Sequence, residues 1–401
     1  MTSSPPAAPI QRPPTAAAGV GELESAPGPA PAGGPHALLL DFSFFPYTVS
    51  LANALVDLCP VTLLLPEPAA RRYHPGLDPR VRLYSFPKYR LRSPLNLLAV
   101  ARIYRLIRQA RPAVVHQLAW NLWFNASLPV FPHLPLVTTI HDVQPHPGDR
   151  DAIPLFWAGQ WRRAGQVIVH SAGLRRQLID RDPSTAGKIH VIPHGAYDFY
   201  TRWQQPAQAE VFPSVLYFGR IWEYKGLRYL VQAEPLISRE FPDLRIVIAG
   251  TGEPIEKYTA LMAHPERFEL LNHYIPDEQV ALLFQQASLV ALPYLEASQS
   301  GVLAIAGAFG KPVVASAVGG IGEVLQHGVN GLLVPPGDAA GLAGAVLSLL
   351  RDEPLRRRLG QALLEQSQQA YAWPAIARQV QQVYQRALHP SAAPLEDPCA
   401  S

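Results

Sequence analysis

Val215-Leu216-Tyr217-Phe218-Gly219-Arg220, with Lys225-Gly226 shortly after it at the head of a helical pattern, is the stretch that decides the fold. An apolar run of strand length ends in a glycine, and two cations sit in the turn that follows. The design returns in Ile246-Val247-Ile248-Ala249-Gly250-Thr251-Gly252-Glu253, and again where Leu289-Val290-Ala291-Leu292 runs through Glu296 to Ser298-Gln299-Ser300-Gly301. Short apolar strands that alternate with helices build an open parallel sheet. Its loops gather at the carboxyl edge, where helix N-termini and backbone N–H groups favour an anion.

Working outward, strand patterns at 37–42, 61–65, 81–84, 113–117, 136–140, 166–170 and 189–192 precede this stretch, with a helix expected over 94–109. A polar, proline-containing connector follows Tyr200. Strands near Val215, Ile246, Phe268, Leu289, Val313 and Leu332 then alternate with helices near 227–238, 277–286, 302–309 and 338–350. The fold class expected is α/β, with two doubly wound Rossmann-like domains at 36–200 and 201–389. A last helical segment near 374–388 is a candidate to lie across the join of the two domains, although the domain bounds above count it with the second. Residues 1–35 and 390–401 are rich in Pro, Ala, Gly and Ser and are expected to be disordered tails.

Composition narrows the classes. The chain has 401 residues, of which 48% are hydrophobic, enough for two buried cores. Two cysteines offer neither a disulfide framework nor a metal spacing, which points to a reducing compartment, the cytoplasm by default. No apolar run suggests a spanning helix, and a secretory leader is not expected. Charge is uneven: residues 36–200 carry 18 Lys and Arg against 10 Asp and Glu, and residues 201–401 carry 15 against 19. Arg102, Arg105 and Arg108 recur every three residues, with Lys88, Arg90 and Arg92 just before them. Either a solvated helix face or a surface for an anionic membrane or acceptor fits that pattern. A nucleic-acid partner is not expected.

Taken in order, Phe218-Gly219-Arg220 with Lys225-Gly226, Ala249-Gly250-Thr251-Gly252-Glu253, Gly310-Lys311-Pro312-Val313, Val318-Gly319-Gly320-Ile321-Gly322-Glu323 and Asn330-Gly331-Leu332 resemble the C-terminal domain of retaining family 4 glycosyltransferases of the GT-B fold. Thr138-Thr139-Ile140-His141-Asp142 adds to the resemblance in the first half. It implies two domains facing across a cleft, with a nucleotide-sugar donor on the second, an acceptor on the first, and sugar transfer with retention.

Such a donor carries a diphosphate that leaves with added negative charge, so fixed cations beside it favour the transition state. Arg220 offers a planar fork and Lys225 a point charge for that role. Gly219 and Gly226, with Gly250, Gly252 and Glu253, would line the donor site. Relatives carry two glutamates separated by seven residues in the loop and helix facing sugar and ribose; Glu296 stands as the first. Ala304 or Ile305 occupies the place of the second. Ser298-Gln299-Ser300-Gly301 is expected as a replacement donor loop, a plain helix cap being the competing reading. By the same resemblance Glu323 lines the donor site, and His141 faces the sugar from the first domain. Ser43-Phe44-Phe45-Pro46-Tyr47-Thr48 takes the place of the glycine-rich loop that relatives carry after the first strand.

Asp149-Arg150-Asp151 and Asp180-Arg181-Asp182 are literal D-x-D patterns, but neither ends a strand, and no metal is expected. Gly250-Thr251-Gly252 lacks the third glycine of a dinucleotide site, and no cofactor is expected. The activity expected is therefore metal-independent glycosyl transfer from a nucleotide diphosphate donor. An epimerase or phosphorylase on the same fold, and a binding protein that has lost catalysis, remain open alternatives.

Overall fold

In the computed structural model, residues 33–130, 134–143, 159–206 and 208–389 are described. The first domain is a seven-stranded sheet with spatial order β3-β2-β1-β4-β5-β6-β7. Its strands are β1 Ala37–Leu40, β2 Val61–Pro66, β3 Arg82–Phe86, β4 Val114–Gln117, β5 Leu136–Ile140, β6 Gln166–Val169 and β7 Ile189–Val191. The second is a six-stranded sheet, order β10-β9-β8-β11-β12-β13. It contains β8 Ser214–Phe218, β9 Arg245–Ala249, β10 Phe268–Leu271, β11 Leu289–Leu292, β12 Val313–Ser316 and β13 Leu332–Val334.

Every pairing in both sheets is parallel. Helices cover both faces of such a sheet, which is why its strands read as unbroken apolar runs without alternation. Strand order reverses at β1/β4 and again at β8/β11, the switch points where open α/β sheets form crevices.

All thirteen strands coincide with those expected. The helices Leu227–Ser238 and Asp277–Gln286 match to the residue, and Gly301–Ala308 and Ala339–Arg351 lie within one residue of expectation. One long helix, Glu353–Gln369, was not expected. Its buried side includes Arg356, Gly360 and Ser367 beside Leu359 and Leu363, so its apolar stripe is too sparse to register as periodic.

The domain boundary also differs from expectation. Helix Trp373–Leu388, at the end of the presumed 201–389 domain, packs against the first sheet. Trp373, Ile376, Ala377, Val380, Val383 and Tyr384 share one core with Leu39, Leu51, Leu63 and Ile168. The physical reason is a bare sheet face in the first domain that the helix Phe45–Leu55 covers only in part.

Candidate active site

The carboxyl edges of the two sheets meet across a cleft. His141, one residue beyond β5, faces Gln299, in the loop after β11, and Gln299 Nε2 donates to His141 Nδ1 at 3.3 Å. Further polar contacts join the domains. Arg72 pairs with Asp277 at 2.9 Å. The Ser171 hydroxyl reaches the Ser298 carbonyl at 3.5 Å. Glu323 accepts from Ala172 N at 2.8 Å and Gly173 N at 2.9 Å, at the N-terminus of helix Ala172–Arg181. A carboxylate there meets both orphan N–H groups and the positive end of the helix dipole. Glu323 is thus an interdomain clasp in this arrangement, where the sequence suggested a donor-lining residue.

The carboxyl edge of the second sheet is built from glycines that let loops stack. Gly250, at φ +147°, could carry no side chain, because its Cβ would sit 1.7 Å from the Gly219 carbonyl oxygen. Gly226, at φ +67°, stands against the Pro293 carbonyl in the same way. The ends of β8, β9 and β11 are thereby drawn into one surface. Glu253 sits on it but is held within its own domain, accepting from Lys257 Nζ at 2.8 Å and from the Tyr258 hydroxyl. Gly252 lies against the Ile221 carbonyl.

Arg220 is exposed beside this surface and Lys225 is half-buried. Lys225 Nζ lies 3.8 Å from the Tyr294 ring centroid and 5.1 Å from that of Tyr224. Burial lowers its pKa to about 8, with the Arg220 charge adding to the fall and Asp142 of the first domain opposing it. Two neighbouring cations, one short of water, are a costly arrangement that a bound anion would offset. Asp142, next to His141 in sequence, thus faces the cation pair from across the cleft.

In the loop before helix Gly301–Ala308, the Glu296 carboxylate is exposed and unpaired among the described residues. Ser300 is the N-cap of that helix, its hydroxyl accepting from Leu303 N at 3.3 Å, so the plain-cap reading holds for Ser300. Gly301 packs under Tyr197. Ile305, at the place of the second glutamate on one count, is buried in the core, and Ala304 on the other count faces away from Gly219.

His141 is buried. Its Nε2–H donates to the Leu118 carbonyl at 3.0 Å, and the Phe44 ring stacks on it at 3.8 Å. Burial, reinforced by the charge that His194 would carry, pushes its pKa down to about 3, so at neutral pH it is an uncharged imidazole with Nδ1 as an acceptor. Around it lie His170 and His194, at 4.9 and 6.4 Å between ring centroids. The sequence reading missed both, although His170 ends an expected strand and His194 stands two residues after another. Asp41 was also missed: fully buried after β1, it accepts from Ser43 N, Phe44 N and the Thr48 hydroxyl and so folds the loop that places Phe44.

Of the D-x-D patterns, 149–151 lies outside the described residues. Asp182 is committed to Arg162, Ser184 and Trp161.

Comparison with known proteins agrees with this architecture. Residues 46–197 match the family model for Glycosyltransferase Family 4, and residues 212–352 the model for Glycosyl transferases group 1. A glycogen synthase of Mycobacterium tuberculosis is 30% identical over 297 residues, 69% of either chain. A D-inositol 3-phosphate glycosyltransferase of Corynebacterium aurimucosum is 31% identical over 240 residues, covering 55% of this chain and 57% of that one. Among solved structures, sucrose-phosphate synthase from Thermosynechococcus elongatus superimposes with a TM-score of 0.68 at 23% identity, over 89% of this chain and 100% of its own. Anabaena HepE, solved in complex with UDP-glucose, gives 0.66 at 20% identity, over 88% and 99%.

The half-buried cation predicts a stability effect. A lysine whose pKa falls to about 8 binds fewer protons folded than unfolded between that pH and its ordinary value near 10.4. The cost is therefore complete below pH 8 and fades as pH rises through that window. Lys225→Met is expected to raise the thermal unfolding midpoint at pH 7, with a gain that shrinks between pH 8 and 10. A lowered midpoint at pH 7 would mean that the contact with Tyr294 outweighs the buried charge.

Proposed function

The chain belongs to the family 4 glycosyltransferases, the glycosyl transferases group 1, and from that premise we propose that its cleft moves a sugar from a nucleotide diphosphate donor to an acceptor, with retention and without a metal ion. The observation that carries this reading is the Arg220–Lys225 pair at the carboxyl edge of β8, a partly desolvated double cation whose mutual repulsion a diphosphate relieves. As the glycosidic bond breaks, charge grows on the diphosphate, and the two cations stabilise it without having to move. The names of the relatives support a sugar nucleotide as the donor class, and UDP is the first nucleotide to test.

Glu296, exposed and without a partner among the described residues, accepts hydrogen bonds from sugar hydroxyls. Gln299 stands in for part of what a second glutamate would do: its amide lies at the cleft, where Ile305 and Ala304 have no polar atom to offer. His141 acts as a neutral hydrogen-bonding group. With its N–H spent on Leu118 and its pKa near 3, it neither donates nor stores a proton at pH 7. Donor arrival displaces Gln299 from Nδ1, which then accepts from a sugar hydroxyl.

The acceptor enters from the first domain, and its source is proposed to be an anionic lipid surface. Leu95, Leu97 and Leu98, at the start of helix Asn96–Ala110, are 46, 61 and 60% exposed. Lys88, Arg90 and Arg92 just before this helix and Arg105 and Arg108 further along it are exposed, while Arg102 is half-buried. Apolar side chains flanked by cations suit the boundary between headgroups and acyl chains. No helix among the described residues is long and apolar enough to cross a membrane, so this contact is peripheral.

Three outcomes test this reading. Arg220→Ala and Lys225→Ala should each weaken UDP binding by roughly tenfold or more, as loss of a hydrogen bond to a charged group does. Wild-type affinity in the double variant would remove the diphosphate assignment.

His141→Ala should lower kcat by about tenfold, the scale of a neutral hydrogen bond, with free UDP binding unchanged. No inflection between pH 5 and 8 should be lost with it. A pH-rate limb that disappears in the variant would restore a proton-transfer role.

Reversing Arg102, Arg105 and Arg108 to Glu should abolish co-sedimentation with phosphatidylserine-containing vesicles, and salt should weaken binding of the wild type. Unchanged sedimentation would leave a solvated helix face.

A further inference from the structure

The turn after β1 stands at the switch point between β1 and β4, where an open parallel sheet ordinarily receives an anion. Here a carboxyl group of the chain itself takes that place. Asp41 is fully buried, and its Oδ1 accepts from Ser43 N at 2.9 Å and from Phe44 N at 3.1 Å, its Oδ2 from the Thr48 hydroxyl at 2.7 Å. The helix that follows, Phe45–Leu55, has no side-chain cap of its own, and Pro46 in its first turn carries no N–H. With two N–H groups spent on Asp41 and a third missing, few donors are left for a phosphate.

What the turn holds is a pair of aromatic rings. Phe44, half-buried, lies face to face with the His141 imidazole, with 3.8 Å between ring centroids and 22° between planes. Tyr47, fully buried in the first turn of the helix, meets the same imidazole edge-on at 5.7 Å and 86°. The His141 Nε2–H is tied to the Leu118 carbonyl. A ring held on its face, at its edge and by one nitrogen keeps one orientation, and its remaining lone pair points at Gln299 across the cleft. The two aromatic rings keep their places only while the turn keeps its shape. Asp41 ties both ends of it, Ser43 and Phe44 at the start and Thr48 at the finish.

We propose that Asp41 is a positioning residue for sugar transfer: through residues 43–48 it lays Phe44 on His141 and so aims Nδ1 at the sugar hydroxyl. The proposal rests on the role given to His141 above. Asp41 itself touches no substrate, and its effect passes through Phe44 and the imidazole.

The test compares Asp41→Ala, Asp41→Asn and Phe44→Leu in the full chain, each first shown to be folded by near-UV circular dichroism. Asparagine keeps an oxygen for Ser43 N and Phe44 N, and its amide can donate to the Thr48 hydroxyl. Thr48→Val, which removes one of the bonds to Asp41, serves where Asp41→Ala does not fold. The first readout is the NMR resonances of the His141 ring protons, identified by their loss in His141→Ala. The stacked Phe44 ring should hold them upfield in the wild type and in Asp41→Asn, and they should move downfield in Asp41→Ala and Phe44→Leu.

The second readout is turnover of UDP-glucose, with water standing in for the acceptor. Its kcat should fall about tenfold in Asp41→Ala and Phe44→Leu, as in His141→Ala, with UDP affinity unchanged, and Asp41→Asn should restore it. Because these changes act through one imidazole, Phe44→Leu added to His141→Ala should cost nothing further. Unmoved His141 resonances in Asp41→Ala, wild-type kcat in folded Phe44→Leu, or losses that add in the double variant would each overturn the proposal. The diphosphate reading fails separately, by wild-type UDP affinity without Arg220 and Lys225, and the resonances decide whether Asp41 sets the imidazole in either case.

Discussion

Helix Trp373–Leu388 closes the core of the first domain although it is the last described helix of the chain. Without it, apolar positions of β4, β5 and β6 would face water on one side, a loss that a parallel sheet cannot tolerate. The chain must therefore cross from the first domain to the second after β7 and return before Trp373. The return is anchored where Trp373 Nε1 donates to the Ala196 carbonyl at 2.8 Å, beside the first crossing. The two crossings therefore lie side by side at one edge of the cleft.

The polar contacts of the cleft follow from that geometry. Each is a group at the end of a parallel strand, or the turn after it, meeting its counterpart from the facing sheet: His141 with Gln299, Glu323 with the helix after β6, Asp142 with the Lys225 side. None of these is a large apolar interface. Domains joined mainly by such contacts can separate at modest cost, which a transferase needs in order to admit a donor and release a nucleotide.

The same geometry explains how a protein without the second glutamate of its relatives keeps a polar cleft. Position 305 is an isoleucine in the core and position 304 an alanine that leaves a hollow. The polar group that meets the facing domain here is Gln299, in the loop before helix Gly301–Ala308, and its amide has two ends. One end meets the imidazole of His141, and the other is left as a buried acceptor. A carboxylate could not bond in this way to a neutral histidine whose lone pair faces it.

By itself the sequence determined both sheets. Short runs of Val, Ile and Leu separated by helical patterns admit few structures other than buried parallel strands, and all thirteen lay where the runs lay. It also placed Gly219, Arg220, Lys225 and Glu296 on one edge, because loops after parallel strands share an edge by construction. The tertiary structure alone decided what periodicity does not encode. Glu353–Gln369 became a helix through neighbours that accept its sparse stripe, and Trp373–Leu388 went to the first domain because a bare face waited there. The charge states of His141 and Lys225, the clasp made by Glu323 and the orphan acceptors of His170 and Gln299 all depend on burial between two domains, and no local stretch of sequence specifies how deeply a residue is buried by a partner far along the chain.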